Sequence, residues 1–426
     1  MTSISASIVK PTGSARIGMG LVEFIITIAL MTASIALGID SMLAALPKIG
    51  EALSVTNAND TQLVIGVYFL GFGVSQLVFG SLSDTFGRRK ILLGGLVFYA
   101  ITMFAASWTA SFATLLMLRF AQGIGGAAVR ITTMAVVRDC FGGREMAQVM
   151  SYVMIVFMIV PILAPSIGQL IATYAGWQWI FILLGSAGTI LFFWALTRMK
   201  ETLPLDERLP LSVHSVYEGF KTVLTNRITC GYMIGTMLFT GVISAYVMSV
   251  QQVFGEVYGL GEWLPLAFGA TAAGIAVANF ANGFFVRSFG MRRISHAAMI
   301  GFTLLAGLGY LIALNGRPDF VVAYVLFSLM LMMFAVIATN FTAICLEPMG
   351  HLAGTATAIT GFVSTTGGAL AGGAVGQMFD GTVLPLFGGF ALFGALTIAA
   401  TLWAEGGKLF THPGDDPQLE AGAGHM

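Results

Sequence analysis

The chain has 426 residues, of which 57% are hydrophobic and only 9% charged, with 20 Lys plus Arg against 20 Asp plus Glu. So little charge cannot cover a soluble surface of this size, so most of the surface must face lipid. A net charge of zero, with the basic residues in short loops that membrane topology already explains, excludes a nucleic-acid partner.

Residues 1–16 are polar, and the apolar run that follows is too long for a secretory signal and lacks a small-residue cleavage site, so it reads as an uncleaved first span. A helix needs about 20 apolar residues to cross a bilayer. Such runs occur at about 20–46, 62–82, 91–110, 112–137, 147–171, 177–197, 228–250, 264–286, 294–314, 319–345, 352–377 and 385–404, which makes twelve. Turn chemistry at Trp108 to Ser111 and at Ala175-Gly176 separates neighbours that nearly merge. The longest polar stretch, residues 198–227 with Pro204 and Pro210, divides the spans six and six. The expected organisation is therefore a six-helix bundle over 1–197, a linker over 198–227, a second bundle over 228–405 and a tail over 406–426. That tail, with Pro413, Asp415, Asp416 and Pro417, is expected to be disordered.

One loop occurs twice, 203 residues apart. The first copy is Gly80-Ser-Leu-Ser-Asp84-Thr-Phe86-Gly87-Arg88-Arg89-Lys90, and the second is Gly283-Phe-Phe-Val-Arg287-Ser-Phe289-Gly290-Met-Arg292-Arg293. A duplicated basic loop after corresponding hydrophobic segments indicates that one half-protein has been used twice, the pattern of a two-halved transporter. With the N-terminus placed in the cytoplasm, Lys10, Arg16, Arg88, Arg89, Lys90, Arg138, Arg144, Arg198, Lys200, Arg208, Lys221, Arg227, Arg287, Arg292, Arg293 and Lys408 fall inside, and only Lys48 and Arg317 fall outside. The bias predicts both termini in the cytoplasm.

The first copy resembles the loop between spans two and three of the major facilitator superfamily, with Asp84, Gly87, Arg88 and Arg89 at its key places. Arg119-Phe-Ala-Gln122-Gly123-Ile-Gly125 resembles that superfamily's fourth-span motif, which Arg138-Asp139 closes. Pro161-Ile-Leu-Ala-Pro165-Ser-Ile-Gly168 is similar to the fifth-span antiporter motif of drug:proton exchangers. With Gly176-Trp177-x-x-Ile180-Phe181 and Asp40-Ser-Met-Leu-Ala-Ala-Leu46-Pro47, the chain is similar to bicyclomycin-resistance (Bcr/CflA) type bacterial multidrug exporters. Ala44 stands where that group has a proline, Gln169 replaces a motif glycine, and Arg130 stands where relatives carry a small or neutral residue. The resemblance implies an all-α fold of two pseudo-symmetric six-helix bundles around a midplane cavity. It implies proton-coupled export of small organic molecules across the bacterial inner membrane, by a protein expected to act as a monomer, and gives Arg119 a coupling role near Asp40. A dedicated carrier of an anionic or zwitterionic metabolite, possible also by symport, is the alternative.

Asp40 lies in the outer half of an otherwise apolar span. Such a carboxylate costs about 2.5–3.5 kcal/mol in hydrocarbon and normally faces a cavity or a partner. It either carries protons or hydrogen-bonds a neighbouring helix. Glu23, 17 residues earlier, lies about 25 Å away along the axis, so the two are no direct dyad. Arg119 and Arg130, 11 residues apart, share one face of the fourth span. Arg119 either couples proton and substrate or donates to backbone carbonyls; Arg130 either meets an acidic substrate or pairs with protein, Glu23 included. Asp84, Gly87, Arg88 and Arg138, at the cytoplasmic ends of spans two to four, read as a conformational gate, although the positive-inside rule alone explains much of Arg88, Arg89 and Lys90. Tyr68, Gln122, Tyr152, Tyr246, Asn279 and Asn340, with Gln76, Gln251 and Asn282, are candidates to line the substrate cavity.

There is no Gly-x4-Gly-Lys-Ser/Thr loop, so ATP is not expected as the direct energy source, and no cofactor is expected. No Cys/His cluster has metal-ligand spacing, and no disulfide is expected of Cys140, Cys230 and Cys345. An integral-membrane enzyme would want His, Asp and Glu at one depth, whereas His214, His296, His351, His412 and His425 read as peripheral and scattered.

Overall fold

The computed structural model describes residues 18–208 and 213–410. Lys10, Arg16, Pro210, His412, Pro413, Asp415, Asp416, Pro417 and His425 lie outside the described residues. Twelve helices among the described residues are long and apolar enough to cross a membrane: Leu21–Ala52, Ala58–Phe86, Arg88–Ser107, Phe112–Cys140, Gln148–Tyr174, Gln178–Arg198, Arg227–Val257, Gly261–Phe289, Met291–Leu314, Phe320–Gly350, Gly354–Gln377 and Leu384–Ala404. They are numbered here as spans one to twelve. The ends that meet residues 199–226 are called the linker end, and the opposite ends the far end.

Several helices outrun the apolar runs that signal them. The second continues past residue 82 to Phe86, carrying Asp84 on its last turn, because only Gly87, at φ 98°, stops it. That left-handed conformation is open to glycine and strained for a side chain. Gly290 at φ 80° does the same between spans eight and nine, so the duplicated Phe-Gly marks one backbone device used twice. The linker is not featureless, since Val213–Thr225 forms a helix.

Packing repeats with an offset of six spans. Spans two and four, three and four, three and six, one and five, and one and six are paired in the first half. Spans eight and ten, nine and ten, nine and twelve, seven and eleven, and seven and twelve are paired in the second. The halves meet along spans five and eight and along spans two and eleven, and the same offset exchanges these two seams. This is a pseudo-twofold arrangement of parallel repeats.

Close approach in the first half is made by small residues. A Cβ on Gly123 would lie 2.7 Å from the backbone nitrogen of Phe72, and one on Gly125 3.0 Å from that of Tyr99. Spans two and three can therefore press against the fourth, and in a bilayer that dispersion contact replaces the hydrophobic effect as the cohesive force. On the eleventh span, Val363–Gly367 forms a π-helical turn facing the second span. A wide turn of this kind takes up one extra residue relative to the regular register, and such turns are frequent at functional sites.

Candidate functional site

Asp40 closes the regular part of the first span. The α-helix Leu21–Asp40 gives way to a turn and a 3-10 segment, Leu43–Ala45, before helix Leu46–Ala52 resumes with Pro47 in its first turn. Pro47 has no N–H for the carbonyl of Leu43 and its ring crowds the preceding turn, so the regular α-helical hydrogen bonding is interrupted just beyond Asp40. Asp40 as a residue is 9% exposed, and among the described residues its carboxyl has neither a hydrogen bond nor an ion pair. Gly168, the last residue of the fifth-span motif, packs on the backbone of Ser41; a Cβ there would stand 2.7 Å from the Ser41 carbonyl carbon. The helix Gly143–Tyr174 runs on through Pro161 and Pro165. The motif therefore brings the fifth span against the first at the residue next to Asp40.

Arg119 is fully buried. Its Nε donates to the Val64 carbonyl at 2.8 Å, Nη2 to the Gly38 carbonyl at 3.0 Å and Nη1 to Gln122 Oε1 at 2.8 Å. The guanidinium carbon lies 4.5 Å from the centre of the Tyr68 ring, a cation–π contact. Gln122 in turn donates to the Thr102 carbonyl at 3.0 Å, and Tyr68 to that of Ile35 at 3.4 Å. One arginine thus ties spans one, two and four, and through Gln122 the third. It approaches Asp40 through the carbonyl of Gly38, with no ion pair to any described carboxylate. Tyr68 and Gln122 are both enclosed within this arrangement.

Arg130 is placed differently. It is partly accessible, its guanidinium carbon lies 5.4 Å from the Phe157 ring of the fifth span, and among the described residues it has no hydrogen bond or ion pair. Glu23, one of the partners open to it in sequence, is taken: Arg198 donates to its two oxygens at 2.8 and 2.9 Å.

At the linker end, Arg88 is buried and holds two acids, Asp84 at 2.5 Å and Asp139 at 2.9 Å, while its Nη1 also donates to Ser83 Oγ at 2.7 Å. Glu201, just past the sixth span, accepts from the backbone N–H groups of Arg88 and Arg89 at 2.8 and 3.3 Å. It caps the third span at the positive end of its dipole. Asp139 therefore occupies the place for which the sequence proposed Arg138, which is exposed. One residue is about 100° of helix, enough to separate an inward from an outward side chain. The second half builds its counterpart around Arg292, which donates to Glu405 at 2.9 Å and Glu347 at 3.2 Å. Its acids come from the ends of spans ten and twelve, so this copy of the loop has two acids on its arginine although Arg287 stands in the position of Asp84. Tyr232 donates to Glu405 at 2.7 Å and stands 2.8 Å from His296 Nε2. His296 Nδ1 accepts from the backbone N–H of Phe410 at 3.0 Å. The expectation that His296 is peripheral is corrected: it is completely buried in this cluster.

At the far end the halves are joined by amides that sequence reading did not single out. Gln62 donates to Gln252 Oε1 and, at 3.1 Å, to the Gly376 carbonyl; Gln252 donates to Asn59 Oδ1 at 2.9 Å. Asn59 donates to the carbonyls of Gln377 and Phe379 at 3.2 and 2.9 Å, and Gln377 returns a bond to the Asn59 carbonyl at 2.8 Å. Farther down the same seam Gln76 donates to Thr365 Oγ1 at 2.8 Å.

Of the remaining cavity candidates, Tyr246 is buried and stacks on Phe268 at 6.1 Å, and Asn340 is buried and donates to Asn282 at 2.8 Å. Asn279 accepts from Thr339 at 3.0 Å and remains partly accessible, and Tyr152 is exposed beside Gln148.

Residues 28–372 match the sequence profile described as Major Facilitator Superfamily. A bicyclomycin resistance protein homolog of Haemophilus influenzae is 28% identical over 373 residues, covering 85% of this chain and 91% of that protein. The multidrug resistance protein MdtL of Escherichia coli is 29% identical over 276 residues, 64% of this chain and 68% of that one. Among solved structures, the xylose transporter XylE from E. coli aligns over 90% of this chain and 99% of its own with a TM-score of 0.67 at 13% identity, a likeness of fold. With twelve spans in two repeated halves, and with the superfamily profile matching most of its length, the chain belongs to the Major Facilitator Superfamily.

Proposed function

We propose that this chain is a proton-coupled exporter of small organic molecules, drugs among them, that works as a monomer in the bacterial inner membrane. The two halves, 1–197 and 228–405, are the bodies that rock about a midplane site, with the linker, the tail and both termini in the cytoplasm. The observation that carries the reading is Asp40, a carboxyl enclosed within a span, with no hydrogen bond or ion pair among the described residues, beside the contact of Gly168 with Ser41. A carboxyl so placed is charged when water or a cation reaches it and neutral when the site is sealed, so its proton changes hands as access alternates. The names of the relatives, bicyclomycin and multidrug resistance, support the substrate class. Asp84 and Arg88, with Asp139 as their third member, are proposed to govern gating at the cytoplasmic end from within the first half, by holding three of its span ends together as the body that rocks.

The test is uptake into proteoliposomes under an imposed pH gradient, comparing wild type with Asp40→Asn. The variant is expected to fold and to bind ligand but to lose gradient-driven accumulation. Full accumulation by Asp40→Asn would remove Asp40 from the mechanism. A second reading, a dedicated carrier of an anionic or zwitterionic metabolite, is favoured by the unpartnered Arg130.

A further inference from the structure

We propose that Arg130 is the docking point for the acidic group of an amphiphilic organic anion, so that the preferred ligands carry one carboxylate, sulfonate or phosphate. The proposal rests on the transporter reading for its biological meaning, but not for its test.

Arg130 lies ten residues before Cys140, where the fourth helix ends, which is about 15 Å of helix. A guanidinium does not lose its proton at such a site, and that depth is beyond easy snorkelling to the interface. A charge held in the membrane needs a partner, and the acids of spans one, two and four that lie on the linker side of Arg130 are already committed. Both oxygens of Glu23 accept from Arg198, and Asp84 and Asp139 hold Arg88. Asp40 is the 20th residue of its helix, about 28 Å from the linker end and so well above Arg130.

The contrast with Arg119 is the sharper observation. On the same helix, the protein satisfies one deep arginine completely, with two carbonyls, a glutamine oxygen and a tyrosine ring, and encloses it. Among the described residues Arg130 is given the Phe157 ring and no hydrogen bond or ion pair, and it stays partly accessible. An arginine kept for structure would be expected to look like the first. A guanidinium with its donors free and an aromatic ring beside it suits a planar acid attached to an apolar body, which the donors grip in pairs while the ring packs against the remainder. In the other half, Asn279 lies ten residues before Phe289, the end of its helix, and so at a corresponding depth. Its amide and the Thr339 hydroxyl offer neutral polar contacts there. No second cation occurs in the interior of the described second-half spans, which limits recognition to a single acidic group.

The experiment is equilibrium binding to purified protein without any gradient, so that failed proton coupling cannot mimic failed recognition. The probes are phenylalkanoic acids of two to eight chain carbons and their neutral primary amides, in lipid-free detergent. Wild type is expected to prefer an acid of the series over its amide by about tenfold or more, the scale of a charge-assisted bidentate contact. Arg130→Ala and Arg130→Gln should lose that preference with little change in amide binding, and Arg130→Lys should keep part of it. Asp40→Asn should keep all of it. A second arm uses nanodiscs of phosphatidylcholine with or without phosphatidylglycerol. Competition by phosphatidylglycerol that depends on Arg130 would support the site and identify a lipid phosphate as its anion; absence of competition would support a free organic acid. Failure of wild type to bind any acid saturably, or equal losses for acid and amide in both Arg130→Gln and Arg130→Lys, would overturn the proposal.

Discussion

Gln62→Leu tests the far-end clasp, because it keeps volume and deletes the hydrogen bonds. Gln62 is completely buried, and its amide makes two contacts across the halves, to Gln252 Oε1 and to the Gly376 carbonyl. Opening of the far end, as the proposed function requires, would break these bonds and let water satisfy the same groups. A neutral hydrogen bond contributes about 1 kcal/mol net, so the substitution removes about 2 kcal/mol from the closed state. At about 1.4 kcal/mol per tenfold, that is a shift of about 30-fold towards far-end opening. Paired spin labels at Glu51 and Glu262, exposed far-end positions on opposite halves, in a background lacking the three native cysteines, would report it as a longer distance population. Gln252→Leu should shift it similarly, and the double variant by less than the sum, because the two share a bond. The amides carry no charge, so the shift should be the same at pH 6 and pH 8. An unchanged or shortened distance in Gln62→Leu would refute the view that these bonds hold the far end shut.

Arg88→Ala takes from Asp84 and Asp139 the counter-charge they share, at a cost of about 3 kcal/mol, near the lower bound for a buried pair because Asp84 is about one-third exposed. Melting temperature and turnover should fall with ligand affinity unchanged, and a loss confined to affinity in binding measurements would contradict the gate. Gly168→Ala puts a methyl group against the Ser41 backbone and should cost about 1–3 kcal/mol by overpacking while slowing transport, whereas Gly94→Ala, which meets nothing within 4 Å, serves as the control. Equal turnover of the two variants in proteoliposomes would separate the fifth-span motif from the Asp40 site.

The fold was legible because hydropathy and cation placement act on whole segments, and twelve spans emerge even with their ends misplaced. Ends were missed where a helix continues through polar residues until a particular backbone stop, as at Phe86 and Gly87. The site was legible as residue types and less so as partners. Arg119 could be placed in the bundle by its span, but which groups satisfy it depends on how closely glycines let spans two and three approach. Asp139 and Glu201 join the Arg88 cluster from a helix end and from the linker, a convergence that spacing along one element cannot show. The far-end amides were missed for a related reason. Asn59 and Gln62 stand at one helix start and Gln252 and Gln377 at two helix ends, where polar residues need no explanation until the ends are seen to meet.

The placement of polar groups suggests how the energy of the cycle is divided. The ion-pair clusters around Arg88 and Arg292 each lie within one half, at the linker end, where they bind the span ends of that half into a rigid unit. The bonds that cross between halves at the far end are uncharged amides. A buried ion pair is costly to break, by several kcal/mol if one charge is left alone, whereas an amide pair exchanged for water changes the balance by about 1 kcal/mol. Strong interactions thus preserve each moving body, and weak ones join the surfaces that must part in every cycle. The π-helical turn at Val363–Gly367 belongs to the same seam, placing Thr365 within reach of Gln76 midway along it. On the proposed function, a seam built of a few exchangeable bonds would let a binding event of modest energy, protonation of Asp40 or occupation of Arg130, decide which end is open.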